Sequence, residues 1–166
     1  MSFTPETGAG VNGANSFVSL TDAEAYFADR PNADWTGLAT DAAKKAALMY
    51  ATAYIEAVYR DRFRGTPTGA PGVRLSWPAT DAYDDDGNAF TGVPVILVEA
   101  CCELAAAHAK KSLVLPLGKS IDAASLGPLS VTYSQGAQSE RDFSFVDRRL
   151  RPLLLGSRRV RRLIRG

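Results

Sequence analysis

Eight arginines crowd the last nineteen residues: Arg148, Arg149, Arg151, Arg158, Arg159, Arg161, Arg162 and Arg165, with no lysine and no acid among them. The chain totals +1, so these arginines leave residues 1 to 147 with a net charge of −7. Arginine presents a planar fork of donors that pairs bidentately with carboxylate or phosphate. An acidic body ending in such a tail is therefore suited to dock on an acidic protein groove or a nucleic-acid backbone. Within the tail, Val160, Leu163 and Ile164 recur at i, i+3 and i+4, so a helical tail carries a small apolar stripe flanked by arginines. That pattern suits helix-in-groove binding to an acidic partner. Contact with DNA phosphates is the second reading and a solvated tail the third. The segment is too short and too sparsely apolar for membrane anchoring.

Residue types that do covalent or metal chemistry are scarce. His108 is the only histidine, which excludes His-rich metal sites and H-E-x-x-H. Cys101 and His108 share a helical face but lie about two turns apart, beyond the reach that a nucleophile and its base require. Cys101 and Cys102 are adjacent in a helical pattern, where consecutive side chains diverge by about 100°. They read as small buried apolar residues, since a disulfide between them would be strained. Asp81, Asp84, Asp85 and Asp86 followed by Gly87 resemble a calcium loop, yet its first and twelfth positions would be Ala82 and Val93. The reading is an acidic turn, with weak cation binding as the alternative. Gly8, Gly10 and Gly13 spell G-x-G-x-x-G, but only seven residues precede Gly8 and one is Pro5, leaving no strand before the motif. A flexible glycine-rich turn is expected there. The chain contains neither G-x-x-x-x-G-K-[ST] nor G-x-S-x-G. The expectation is a non-enzyme with no catalytic residue, no cofactor and no metal.

The elements that must carry the charged tail are mainly helical. At 166 residues, with 46% hydrophobic and 22% charged content, the chain suits one domain with a real core. No apolar run approaches the roughly 20 residues of a bilayer span, and the N-terminus has neither the basic start nor the apolar stretch of a signal peptide, so a cytoplasmic product is expected. Residues 1 to 18 form an arm. Ser19 with Asp22 caps a first helix whose Leu20, Ala23, Tyr26 and Phe27 share a face, and Pro31 ends it. After a loop holding Trp35, Thr40 caps a second helix to about Arg60, with an apolar stripe of Ala43, Ala46, Ala47, Tyr50, Tyr54, Ala57 and Val58. A third helix has Pro94 in its first turn and runs through Val95, Val98, Cys101, Cys102, Ala105 and Ala109 to Lys110 and Lys111.

Residues 61 to 93 make a long loop rich in Gly, Pro, Asp and Arg, and loops of that length tend to be functional. In it Trp77 and Pro78 either anchor an interface or fold the loop onto its own core. Alternation at Leu129, Val131 and Tyr133 predicts a strand in a β hairpin at about 114–136. Ser144 with Asp147 caps a last helix carrying Phe145, Val146, Leu150, Leu153 and Leu154, broken at Pro152 and closed by Gly156. The predicted class is mainly α: a small bundle of three to four helices, a projecting β hairpin and extended N- and C-terminal arms. Residues 1–156 form the domain and 157–166 the tail.

The order of these signposts resembles a family of tailed-phage head-to-tail adaptor proteins. Gly10 and Asn12 to Ser16 lead into Phe17-Val18-Ser19-Leu20. Ala25-Tyr26-Phe27, Trp35, Trp77-Pro78, Asp86-Gly87, Pro94, the stretch from Gly127 to Tyr133 and Leu150-Arg151-Pro152-Leu153-Leu154 follow, over about residues 10 to 155. The resemblance implies a ring, typically of twelve subunits, in the neck of the virion, assembled in the host cytoplasm beneath the portal protein. Such a ring extends the DNA channel, lets DNA pass without sequence-specific binding, and meets a stopper or tail-completion protein. It brings no catalytic residues. The tail departs from the family pattern, and Arg158, Arg159, Val160, Arg161, Arg162, Leu163, Ile164 and Arg165 are expected to dock on the portal. Relatives often carry the label of DnaT-like single-stranded-DNA-binding proteins, and that function is the alternative. It needs a basic groove with aromatic platforms, whereas Tyr26, Phe27, Tyr50 and Tyr54 read as lying on apolar helix faces.

Overall fold

A computed structural model describes residues 2–72, 74–110 and 143–155. Helices account for about half of these, in the order α1 (Leu20–Asp29), α2 (Ala33–Thr36), α3 (Asp41–Tyr59), α4 (Val95–Lys110) and α5 (Ser144–Leu150). Single 3₁₀ turns follow α3 at Arg60–Arg62 and α5 at Arg151–Leu153. Two short strands, β1 (Thr66–Pro67) and β2 (Ala79–Thr80), pair antiparallel with Thr66 opposite Thr80. The mainly α class holds. The hairpin at about 114–136 and the tail at 157–166 lie outside the described residues.

Local capping sets the helix starts. Ser19 Oγ accepts from the Asp22 amide at 3.1 Å, and Thr40 Oγ1 does the same for Ala43 at 3.1 Å, each satisfying an amide that the first turn cannot. Asn32 caps α2 through its side chain. Proline has no amide to lose before α4, and the Pro94 carbonyl accepts from Leu97 and Val98 at 2.9 and 3.1 Å. The last helix differs from expectation. Phe143, not Ser144, is its N-cap, and no side chain caps it. Asp147 instead takes the Tyr59 hydroxyl.

The core forms where α3 and α4 pack together, with α5 and the α1–α2 corner closing around them. On α3 the buried face is Ala47, Leu48, Ala51, Thr52, Ile55 and Tyr59. This corrects the expected stripe, of which only Ala47 is buried, Tyr50 and Ala57 are exposed, and Ala43, Ala46, Tyr54 and Val58 are half-buried. Leu48 and Ile55 have the largest purely aliphatic surfaces on the helix, and burying them outweighs burying tyrosines whose hydroxyls need a partner. Alanines on several sides make either face sterically acceptable. On α4 the buried residues are Leu97, Ala100, Cys101, Cys102, Leu104, Ala105 and Ala106, while Val95 is exposed. Trp35 is buried in α2 and stacks on Phe27 with ring centroids 4.7 Å apart.

The long loop folds onto this core. Trp77 is fully buried, edge-on to Phe63 at 6.1 Å and to Phe90 at 5.9 Å. Its ring is therefore spent inside its own chain, and with Pro78 also buried the pair is not an exposed anchor. The end of the described chain is pinned beside the same loop. Arg64 donates its amide to Leu153 O at 2.9 Å and its Nε to Leu154 O at 2.8 Å, and Leu155 donates to Arg62 O at 2.7 Å.

Candidate functional site

Three elements bring aromatic rings to one part of the surface. Tyr50 and Tyr54 sit one turn apart on α3, and so on the same side of it. The Tyr50 ring stacks on His108 of α4 with centroids 4.4 Å apart and planes 22° from parallel. Tyr54 meets Phe143 edge-to-face at 5.3 Å, and Phe143 meets Phe145 edge-to-face at 6.0 Å. Tyr50 is 50% and Phe145 38% exposed, and the other three rings are half-buried. Burial pulls the His108 imidazole below the ordinary histidine range, so at neutral pH it is an uncharged flat ring suited to stacking. Lys110, exposed, follows at the end of α4, and Arg148 lies three residues beyond Phe145 on α5. The result is a five-ring band with Arg148 beside its Phe145 end.

Polar contacts fix the helix that completes the band. Tyr26 Oη donates to Glu103 Oε1 at 2.6 Å, and Tyr59 Oη donates to Asp147 Oδ1 at 2.8 Å. Arg149 pairs with Glu99 at 2.7 Å, and Arg30 reaches the same carboxylate at 3.6 Å. Burial, reinforced by the Glu103 carboxylate, pushes the Tyr26 phenol up to about 12. Burial and the bond to Asp147 raise Tyr59 as well. Both phenols stay protonated donors at neutral pH, so the ties between α5, α1, α3 and α4 persist.

The other groups singled out by the sequence fall elsewhere. The glycine motif is a tight anion nest filled from within. Glu6 Oε1 accepts from the amides of Thr7, Gly8, Ala9 and Gly10 at 2.9–3.1 Å, and Oε2 accepts from Val11 at 2.8 Å. Gly8 and Gly10 take positive φ to aim those amides inward. Glu6 is only 6% exposed, so the turn is fixed rather than flexible. Nor does the arm reach outward. Glu6 donates its amide to Ser16 O and Asn15 donates its amide to Thr4 O, each at 2.8 Å, closing residues 4 to 16 into a loop on their own body. The acidic turn is organised by Asp84, which accepts from the Asp86 and Asn88 amides and from Asn88 Nδ2 at 2.8–2.9 Å. Those Asn88 bonds hold its carboxyl below the usual range. Among the described residues, no three His, Cys, Asp or Glu side chains converge to hold a metal. Both cysteines are buried thiols, which pushes Cys101 up to about 12, far from a nucleophilic thiolate.

A family model described as "Putative DnaT-like ssDNA binding protein" matches residues 1–166. The chain belongs to that DnaT-like family. No curated protein and no solved structure matches it. The match overturns the head-to-tail adaptor reading, which rested on the order of individually unspecific signposts, and favours the alternative weighed beside it. The portal, stopper and ring partners and the place in a virion were implied by that resemblance, and the match says nothing of them. Reading Tyr50 and Tyr54 as core residues hid the aromatic band on the surface of α3. The signal that could have exposed them is the i, i+7 pair Leu48 and Ile55, which claims the buried face of α3 and turns Tyr50 outward.

Proposed function

We propose that this protein is a non-enzymatic single-stranded-DNA-binding protein. Bases stack on the band of Tyr50, Tyr54, His108, Phe143 and Phe145, while Lys110, Arg148 and the arginine tail neutralise phosphates. The observation that carries the reading is the band itself, five rings contributed by three elements with Arg148 beside the Phe145 end. Every base has a π-face, so such a platform accepts any sequence, and only an unpaired strand can splay its bases onto it. The acidic body limits adhesion to duplex backbones by charge alone, leaving selectivity to stacking.

The test is fluorescence anisotropy with labelled oligo(dT) and a duplex of equal length at low salt. The expected outcome is saturable binding of the single strand, weaker binding of the duplex, and loss on replacing Tyr50 and Phe145 together by alanine. Equal affinity for both nucleic acids, or full affinity in the double variant, would remove the reading.

A further inference from the structure

The arginines of the described residues divide into two groups. Eight arginines lie among the described residues, and four of them, Arg30, Arg60, Arg64 and Arg149, are paired with carboxylates. Arg30 pairs with Glu99 and covers the Tyr26 ring, and Arg149 pairs with Glu99. Arg60 pairs with Glu56. Arg64 holds Asp85 and the carbonyls of Tyr83 and Leu154. Arg74 donates to the Gly69 carbonyl at 2.8 Å. Of the four without a described ion pair, Arg74 is half-buried, while Arg62, Arg148 and Arg151 are exposed, with Arg148 Nε donating only to the Ser144 carbonyl at 3.3 Å.

These three are neighbours in the fold. Phe145, Arg148 and Arg151 follow one another at i, i+3 and i+6 along α5 and the turn that continues it, so they share a side. The Arg62 guanidinium lies over the Tyr59 ring at 5.4 Å, and that tyrosine's hydroxyl reaches Asp147 on α5. Arg62 O also accepts from Leu155, the last described residue before the tail. The strip therefore starts at Phe145, where the aromatic band ends, and finishes where the arginine tail begins. Asp147 and Asp61 are its acidic neighbours and leave it net positive.

We propose that Arg62, Arg148 and Arg151 form a phosphate-binding track that leads a single strand from the aromatic band to the arginine tail. The track rests on the single-strand reading above and assigns it a direction on the surface. A side chain committed to a carboxylate must break that pair before it can take a phosphate, whereas these three present their charge at no such cost. Bases stack at one end and the backbone is gripped along the rest.

Counterion release makes the track measurable, because the affinity for a single strand falls with salt at a log–log slope of about −0.7 per phosphate neutralised. The experiment compares oligo(dT) binding across salt for the unaltered protein, the triple variant Arg62→Gln, Arg148→Gln, Arg151→Gln, and the control Arg30→Gln, Arg74→Gln. The slope should shrink in magnitude by about 2 in the triple variant and stay unchanged in the control. A lysine version of the triple should keep the unaltered slope, since charge is retained. An unchanged slope in the glutamine triple would overturn the track while leaving single-strand binding in place, as would a slope lost in the lysine triple, which would signal disturbed structure. Failure of the unaltered protein to bind oligo(dT) would remove the parent reading and the track with it.

Discussion

Tyr50 exposes half of its surface although it sits on a helix whose opposite face is the core, and an aromatic so placed has more to offer a ligand than the fold. Replacing Tyr50 or Phe145 by alanine should therefore weaken oligo(dT) binding by about 1–3 kcal/mol, the usual range for one stacked base. Anisotropy titrations should show the salt slope unaffected, because no charge is removed. Glu6 has the reverse character. Its carboxylate satisfies five amides, so Glu6→Ala should cost about 2 kcal/mol in urea unfolding by leaving those partly buried donors without their acceptor. An effect within about 0.5 kcal/mol would mean that water serves the nest equally well. Proton linkage supplies a third outcome at this scale. Burial raises the Cys101, Cys102, Tyr26 and Tyr59 groups, so the folded chain holds their protons more tightly than the unfolded one. Their contribution to stability is complete below the unfolded thiol range near 8.5 and declines as pH climbs toward about 12. Circular dichroism melts should accordingly show a lower Tm at about pH 10.5 than at about pH 8.

Which face α3 buries decides where every other element sits. Leu48 and Ile55 are wholly enclosed between α3 and its neighbours, and truncating either to alanine should cost about 2–5 kcal/mol by chemical denaturation. If the stripe of Tyr50 and Tyr54 were the buried one, the same truncations would cost little and Tyr50→Ala would be the severe change. The α5 helix has seven residues and no side-chain cap, so its place depends on Val146 and Leu150 in the core and on the Tyr59–Asp147 and Arg149–Glu99 contacts. Isolated helices of this length are not stable in water. Phe143 and Phe145 therefore join the aromatic band only because the tertiary structure holds α5 against α3 and α4.

At the scale of the whole molecule, residues 1–156 carry a net charge of −4 and five further arginines follow Gly156. The acidic part repels a polyanion and the tail attracts it, so long-range attraction rests on the tail while discrimination rests on the band. Removing residues 157–166 should leave the melting temperature unchanged, because the chain is already tied down at Leu153, Leu154 and Leu155. The same deletion should reduce the magnitude of the salt slope by about 3.5 if all five arginines meet phosphate. An unchanged slope would place those arginines away from the strand.

Much that is local could be read directly. Ser19 and Thr40 cap helices because their hydroxyls reach amides within their own first turn, Pro94 precedes a helix because it has no amide to lose, and the adjacent cysteines are small apolar residues of a buried helix. Each depends on groups a few residues apart, so the chain itself determines them. The glycine motif is also local, yet its meaning lies in one side chain turning back onto five amides, and no periodic pattern announces that. Longer-range choices belong to the tertiary structure alone. An alanine-rich helix such as α3 can bury more than one face, and only the packing of α4, α5 and the loop holding Trp77 selects the one with Leu48 and Ile55. The band of Tyr50, Tyr54, His108, Phe143 and Phe145 follows from that selection. Its members come from three elements, and burial of the aliphatic face, not their spacing along the chain, turns them to the surface together.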